Sequence, residues 1–142
     1  MRLELSLPYS PYKVPAEVGK TLAYANLTSN RTLGAGYSRS PFRRLVAGYA
    51  REQMKNDAWR LAKYTTQRSQ EPRCGTITSV VVSTIIIAPT RARKDRDNAL
   101  SGLKACFDGI ATALGCDDSL FTYKSVEFLV GRPETRLVLE VE

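Results

Sequence analysis

Histidine is missing from all 142 residues. Its absence excludes Ser-His-Asp and Cys-His nucleophile systems, histidine-dependent nucleases and histidine-ligated metals. Any hydrolysis must therefore run on carboxylates, lysines or a hard metal ion. Cysteine is scarce: Cys74, Cys106 and Cys116 form an odd set without C-x-x-C spacing, so neither a disulfide framework nor a zinc site is expected. Long apolar runs are lacking as well. The longest, around Val80 to Ala88, is far shorter than the ~20 residues that span a bilayer. The opening MRLELSLPY alternates like a strand and has no apolar stretch of the signal-peptide kind. A cytoplasmic protein with no membrane partner is the expectation.

What is present points to one globular domain. The length suits a single core without disulfide or metal staples, and 43% hydrophobic with 25% charged residues is ordinary globular composition. The net charge of +7 is unevenly spread. Residues 1–73 hold 13 Lys and Arg against 5 Asp and Glu, whereas residues 91–142 hold 8 against 9. A polyanion such as nucleic acid is the natural partner for the basic half, because phosphate neutralisation dominates that kind of affinity. A well-solvated basic surface is the plain alternative.

Local patterning gives the order β-α-β-α-β-β, an α/β (α+β) domain with a small mixed sheet of about four strands and two main helices. RLELSL (2–7) has the two-residue period of a half-buried strand and ends at Pro8. Residues 8–40 lose periodicity and read as one long loop. Tyr9, Tyr12, Tyr24 and Tyr37 are interleaved there with Lys13, Lys20, Arg31 and Arg39, a mixture suited to stacking on bases and contacting phosphates. Ser40-Pro41 opens a helix that runs to about Tyr64, with Phe42, Leu45, Val46, Tyr49, Ala50, Met54, Ala58, Leu61 and Ala62 at helical spacing. Its other face carries Arg43, Arg44, Arg51, Lys55, Arg60 and Lys63, a basic stripe able to draw a phosphate backbone close. ITSVVVSTIIIAP (77–89) reads as a central strand. A second helix is expected from about Asp97 to Leu114, stopped by Gly115, and strands follow near 121–130 and 136–141.

The carboxylates gather in KDRDNALSGLKACFDGIATALGCDDSL (94–120), which holds five aspartates. On an uninterrupted helix Asp97, Ser101, Lys104 and Asp108 form one stripe, bordering an apolar stripe of Leu100, Leu103, Phe107, Ile110 and Leu114. Asp95 and Asp97 stand at the helix mouth, and Asp117 and Asp118 follow it in a turn that the sheet can fold back beside the first pair. Crowded carboxylates are costly unless a cation relieves them, and oxygen-only ligands select Mg²⁺ or Mn²⁺. A metal activating water, with cations holding a polyanion, is one reading, and Lys104 would then stabilise charge on the attacked phosphate. The other reading is bland: Asp97 a helix cap, Asp108 a solvated residue, Asp117-Asp118-Ser119 a turn.

Asp95-Arg96-Asp97-Asn98, then Lys104, then Phe107-Asp108-Gly109, then Asp117-Asp118-Ser119, resembles the signature of the RusA family of Holliday-junction resolvases. The start Leu7-Pro8-Tyr9-Ser10-Pro11 is similar to that family's Leu-Pro-aromatic-Pro opening. The resemblance implies metal-binding carboxylates Asp95, Asp97 and Asp118, an essential Lys104, and Asp117 as the weaker member of its pair. It also implies Mg²⁺ (Mn²⁺ as substitute) with no organic cofactor, a homodimer, and four-way-junction DNA as substrate, nicked in opposing strands during recombination and repair. Arg91, Arg93, Lys94 and Arg96 would keep the backbone near the metal, with Arg43, Arg44, Arg51 and Lys55 as further DNA contacts.

Overall fold

Strict alternation in RLELSL gives β1 (Arg2–Leu7), with Leu3, Leu5 and Leu7 buried and the residues between them exposed. The computed structural model describes residues 1–28, 41–69, 75–90 and 95–142. The β-branched run VVVSTIIIA forms β4 (Val80–Ala88) at the centre of a mixed four-stranded sheet. There it pairs in parallel with β5 (Phe121–Val130) and antiparallel with β6 (Glu134–Val141), which in turn pairs antiparallel with β1, giving the order β1-β6-β4-β5. The fold is α+β. Among the described residues no helix is long and apolar enough to cross a membrane.

The stretch expected to be a single loop over residues 8–40 contains a hairpin. β2 (Val14–Val18) and β3 (Thr21–Ala25) pair antiparallel around Gly19, whose φ of 63° suits glycine. Val14 and Ala16 are fully buried, so the strand is held by packing on the helix that follows rather than by its own propensity. Pro15 and the brevity of each strand hide it from a periodicity reading. Residues 29–40, with Arg31, Tyr37 and Arg39, lie outside the described residues.

Helix α1 (Pro41–Arg68) starts where Pro41 predicts and runs a turn beyond Tyr64. Its buried line is Val46, Ala47, Ala50, Met54, Ala58 and Ala62, whereas Phe42, Leu45 and Tyr49 are exposed. Leu45 and Tyr49 each precede a buried residue, and one residue is about 100° of helix rotation, so they turn away from the core. The small alanines let the third helix cross closely. Gly109 lies so near the Lys55 backbone that a Cβ would overlap its carbonyl oxygen.

The helix expected over 97–114 is broken in two. α2 (Arg96–Gly102) and α3 (Lys104–Leu114) meet at Leu103, with φ −93° and ψ 1°. Gly102 abuts the chain entering and leaving the hairpin: a Cβ there would stand 2.9 Å from Pro11 Cβ and 3.3 Å from the Leu27 and Thr28 backbone. That contact displaces the helix at a residue of low helical propensity. α3 ends at Gly115, φ 74°, as its sequence predicts. Both long helices cover one sheet face, where Phe107 meets Phe121 and Tyr123 at ring-centroid distances of 6.3 and 4.9 Å. A single 3-10 turn (Asp118–Leu120) leads into β5.

Candidate functional site

The acidic segment folds into a corner made by the start of α2, the exposed edge of α3 and the turn before β5. Asp95 sits just ahead of α2 in an extended conformation, and its Oδ1 accepts from the backbone N–H of Asp97 at 2.7 Å and of Asn98 at 3.3 Å. It is therefore the N-cap, the role sequence reasoning had offered for Asp97. Asp97 itself is exposed in the first helical turn, where a carboxylate is favoured by the helix N-terminal partial charge. The Ser101 hydroxyl donates to the Asn98 carbonyl at 2.9 Å.

Lys104, the first residue of α3, bridges two acids. Its Nζ donates to Asp108 Oδ1 at 2.7 Å, an i,i+4 pair, and to Asp118 Oδ2 across the turn. The break at Leu103 starts a new helix at Lys104, and Asp118 is carried to it by the 3-10 turn. Hydrogen bonds from Lys104 to Asp108 and Asp118 hold its ammonium well above the ordinary lysine range. A lysine so placed stays charged at every working pH; it can stabilise an anion but cannot serve as a neutral base.

Asp117 is occupied locally, its Oδ1 accepting from the Ser119 N–H at 2.9 Å, and this bond lowers its pKa. It acts as the cap of the 3-10 turn. Phe107, only 1% exposed, is a core residue. Among the described residues no group of three or more Asp, Glu or Cys side chains lies close enough together to hold a metal ion. The structure thus joins Asp118 and Asp108 through Lys104, and leaves Asp95 on its helix cap and Asp97 in solvent.

One contact ties the halves of the corner to each other. Arg96 Nη2 donates to the Tyr123 carbonyl at 2.9 Å, tying the mouth of α2 to β5 three residues past the 3-10 turn. The Tyr123 phenol, its pKa raised by burial, lies within the field of Lys104, Asp118 and Asp108. On the other side Tyr12 is pushed up to about 12, by burial first and by the charge of Asp95 second. Tyr123, joined to Arg96 through its carbonyl, borders the acidic corner. Sequence reasoning had counted Tyr12 only as one of several loop tyrosines and had not singled out Tyr123; the alternation of β5 was the available signal for an inward ring at that position.

The expected DNA contacts divide. Arg96 is engaged with β5 as described, and Arg91, Arg93 and Lys94 lie outside the described residues. Arg43, Arg44, Arg51 and Lys55 are all exposed on α1. Lys55 lies beside α3 where Gly109, the neighbour of Asp108, crosses it, while Arg43 and Arg44 sit roughly 17 Å or more further along the helix at 1.5 Å per residue. The basic stripe thus runs along α1 to both sides of its crossing with α3.

No family model matches the chain, and no curated protein does. Among solved structures it is similar to the crystal structure of 2C-methyl-D-erythritol 2,4-cyclodiphosphate synthase from Plasmodium vivax, at 11% identity and a TM-score of 0.34 over 99% of this chain and 93% of that one. It is also similar to the CDP complex of IspF from Plasmodium falciparum, at 11% identity and a TM-score of 0.30 over 99% and 92% of the two chains. Scores this low say nothing about activity.

Proposed function

We propose that the chain is a Mg²⁺-dependent endodeoxyribonuclease that cuts branched DNA, four-way junctions foremost, as a homodimer. The observation that carries this reading is the meeting of Lys104, Asp118 and Asp108 in a corner to which Arg96 ties the Asp95-Asp97 end of α2. In a chain of net charge +7, five of the six aspartates fall within residues 95–118. Their donor atoms are all oxygen, the chemistry of Mg²⁺ and Mn²⁺. The structure does not bring Asp95, Asp97 and Asp118 together as a ligand set; to hold the ion they would have to close in, with Asp95 keeping its capping bond through one oxygen and Asp118 exchanging its Lys104 partner. When bound, the ion would supply charge neutralisation and activation of the attacking water.

The remaining work falls to side chains. Lys104, freed from Asp118 but still paired with Asp108, holds a fixed positive charge toward the non-bridging oxygens of a phosphate, where negative charge grows during attack. Arg96 and the α1 cations steer the backbone in and neutralise its charge without reading sequence. Lys104 cannot take a proton from water, so proton removal belongs to a carboxylate or to solvent.

A second reading has its own observation. Asp95 caps α2, Asp117 caps the 3-10 turn and Lys104 already neutralises Asp118, as they would in a non-catalytic basic DNA- or RNA-binding accessory module. A nuclease for another branched DNA is the third possibility. One panel separates them: synthetic four-way junctions, flaps and plain duplex, each with and without Mg²⁺, against wild type and Asp97→Asn. The proposal expects Mg²⁺-dependent paired nicks in the junction, lost on the order of 10²–10³-fold or more in Asp97→Asn while junction binding is kept. Metal-independent binding with no cleavage of any substrate supports the accessory module, and cleavage confined to flaps supports the third.

A further inference from the structure

A groove that the cleavage reading leaves unused lies between the β2–β3 hairpin and the turn joining β5 to β6. Its volume is about 530 Å³, inside the ~300–1,000 Å³ range of small-molecule clefts. Pro15 and Pro133 give it rigid apolar walls, and Tyr24, Lys13, Arg132 and Glu134 supply its aromatic and charged groups. Tyr24, opposite Pro15 in the hairpin register, is 56% exposed although it belongs to a strand. Lys13 Nζ stands 4.8 Å from the centre of its ring, a cation–π contact that fixes an ammonium beside an available aromatic surface. Arg132 is exposed in the turn across the groove.

Glu134 contributes differently. Its Oε1 accepts from Ser6 Oγ and from Arg136 Nε, each at 2.7 Å, and its Oε2 from Arg136 Nη2 at 3.0 Å. These bonds, Arg136 first, depress its pKa to about 2, so the groove wall carries a fixed carboxylate that can only accept hydrogen bonds.

We infer that this groove binds an unpaired nucleotide of single-stranded DNA, with the base on the Tyr24 ring and the adjoining phosphate between Lys13 and Arg132. Stacking on an exposed tyrosine tolerates any base. The Glu134 carboxylate adds a preference, because it accepts from an exocyclic amine such as cytosine N4 and has less to accept from thymine. Two cations face one carboxylate that Arg136 already offsets, which leaves net attraction for a phosphodiester. A proline-rich peptide is the other occupant that aromatic grooves take, but it uses neither the paired cations nor the fixed acceptor. The inference rests on the reading above only for the class of ligand. The two sites adjoin in the chain, since Pro11, two residues before the groove's Lys13, abuts Gly102 at the end of α2. Strands opened at a branch point near the acidic corner would find the groove next to it.

The test is fluorescence anisotropy of labelled oligo-dC, oligo-dT and duplex, at low salt and without divalent metal. Oligo-dC should bind more tightly than oligo-dT. Tyr24→Ala should weaken oligo-dC binding at least ~10-fold while Tyr24→Phe retains it. Arg132→Ala should weaken binding and lower the slope of log affinity against log salt by about one. Glu134→Gln should narrow the dC-over-dT preference. All are surface changes, and a cooperative urea transition with a midpoint close to that of wild type confirms each variant's fold. Unaltered oligo-dC binding in Tyr24→Ala overturns the inference, as does Tyr24-dependent binding of a polyproline peptide by a protein that ignores oligo-dC. Failure of this inference and failure of the nuclease reading are distinguishable. Asp97→Asn should leave oligo-dC binding intact, so a cleavage-negative protein that still shows the Tyr24 dependence loses only the nuclease reading, and a junction-cutting protein without that dependence loses only the groove.

Discussion

Asp57 and Asp118 are both half-buried, but the donors they meet differ in kind. Asp57, on α1, accepts from the phenol of Tyr9 at 2.5 Å, next to the fully buried Cys106. Burial and the neighbouring carboxylate push the Tyr9 phenol far above its ordinary value, and burial does the same to the Cys106 thiol. Both groups stay protonated at any physiological pH, so this cluster is inert to acid-base and nucleophilic chemistry. Asp118 instead meets the ammonium of Lys104 at the surface, with side-chain exposures of 34% and 58%. With the Tyr9 phenol buried and Asp57 half-buried, such a pair fixes the chain by what it would cost to leave the phenol without its partner. A surface pair contributes little stability and can exchange partners, which is what a site that must admit a phosphate or a cation requires.

Separating activity from stability at these two places is the sharpest way to break the comparison. Lys104→Met should reduce junction cleavage on the order of 10²–10³-fold while shifting unfolding free energy by no more than about 1 kcal/mol; nicking assays and urea melts read the two quantities. Tyr9→Phe should show the reverse, a loss of about 2 kcal/mol in the urea melt with cleavage unchanged at a temperature where the variant is folded. If Tyr9→Phe were the variant that lost cleavage at full stability, the interior cluster would be the functional one.

The pair Glu134–Arg136 on β6 gives a smaller, pH-resolved calibration. A carboxyl depressed in the folded state stabilises fully above its unfolded value, near the usual carboxylate range, and that contribution fades as pH falls through about 2. Comparing urea midpoints of wild type and Glu134→Gln between neutral pH and that acid limit should show the wild-type advantage only at the upper end. The difference should stay within about 0.5 kcal/mol, because the pair lies in solvent.

Much of this architecture was legible in advance, for reasons that can be traced to particular residues. β1 and β4 declared themselves by alternation and β-branching, α1 by Ser40-Pro41, and the end of α3 by Gly115, all of them local signals. The hairpin was not legible, because VPAEV is short, contains a proline and depends on burial of Val14 and Ala16 under a helix that starts more than twenty residues later. The break at Leu103 depends likewise on Pro11 and Leu27 pressing on Gly102. Helical spacing alone drew Asp97 and Lys104 into one stripe; the break parts them and gives Lys104 to Asp108 and Asp118 instead. Asp95 as the cap, rather than Asp97, follows from where α2 begins, a boundary that spacing does not locate. The turn was expected to fold Asp117 and Asp118 back beside Asp95 and Asp97; the structure pairs Asp118 with Lys104, a contact the spacing does not foretell.

The central claim is that Asp95, Asp97 and Asp118 converge on one hard divalent ion. Electron paramagnetic resonance of Mn²⁺ titrated into the intact protein tests it without any need for substrate. The account predicts that wild type depletes the free-ion signal with one strong site per chain, and that Asp95→Asn, Asp97→Asn and Asp118→Asn each weaken that site. A free-ion signal that wild type leaves undiminished, or one that a variant lacking all three carboxylates depletes equally well, would contradict it.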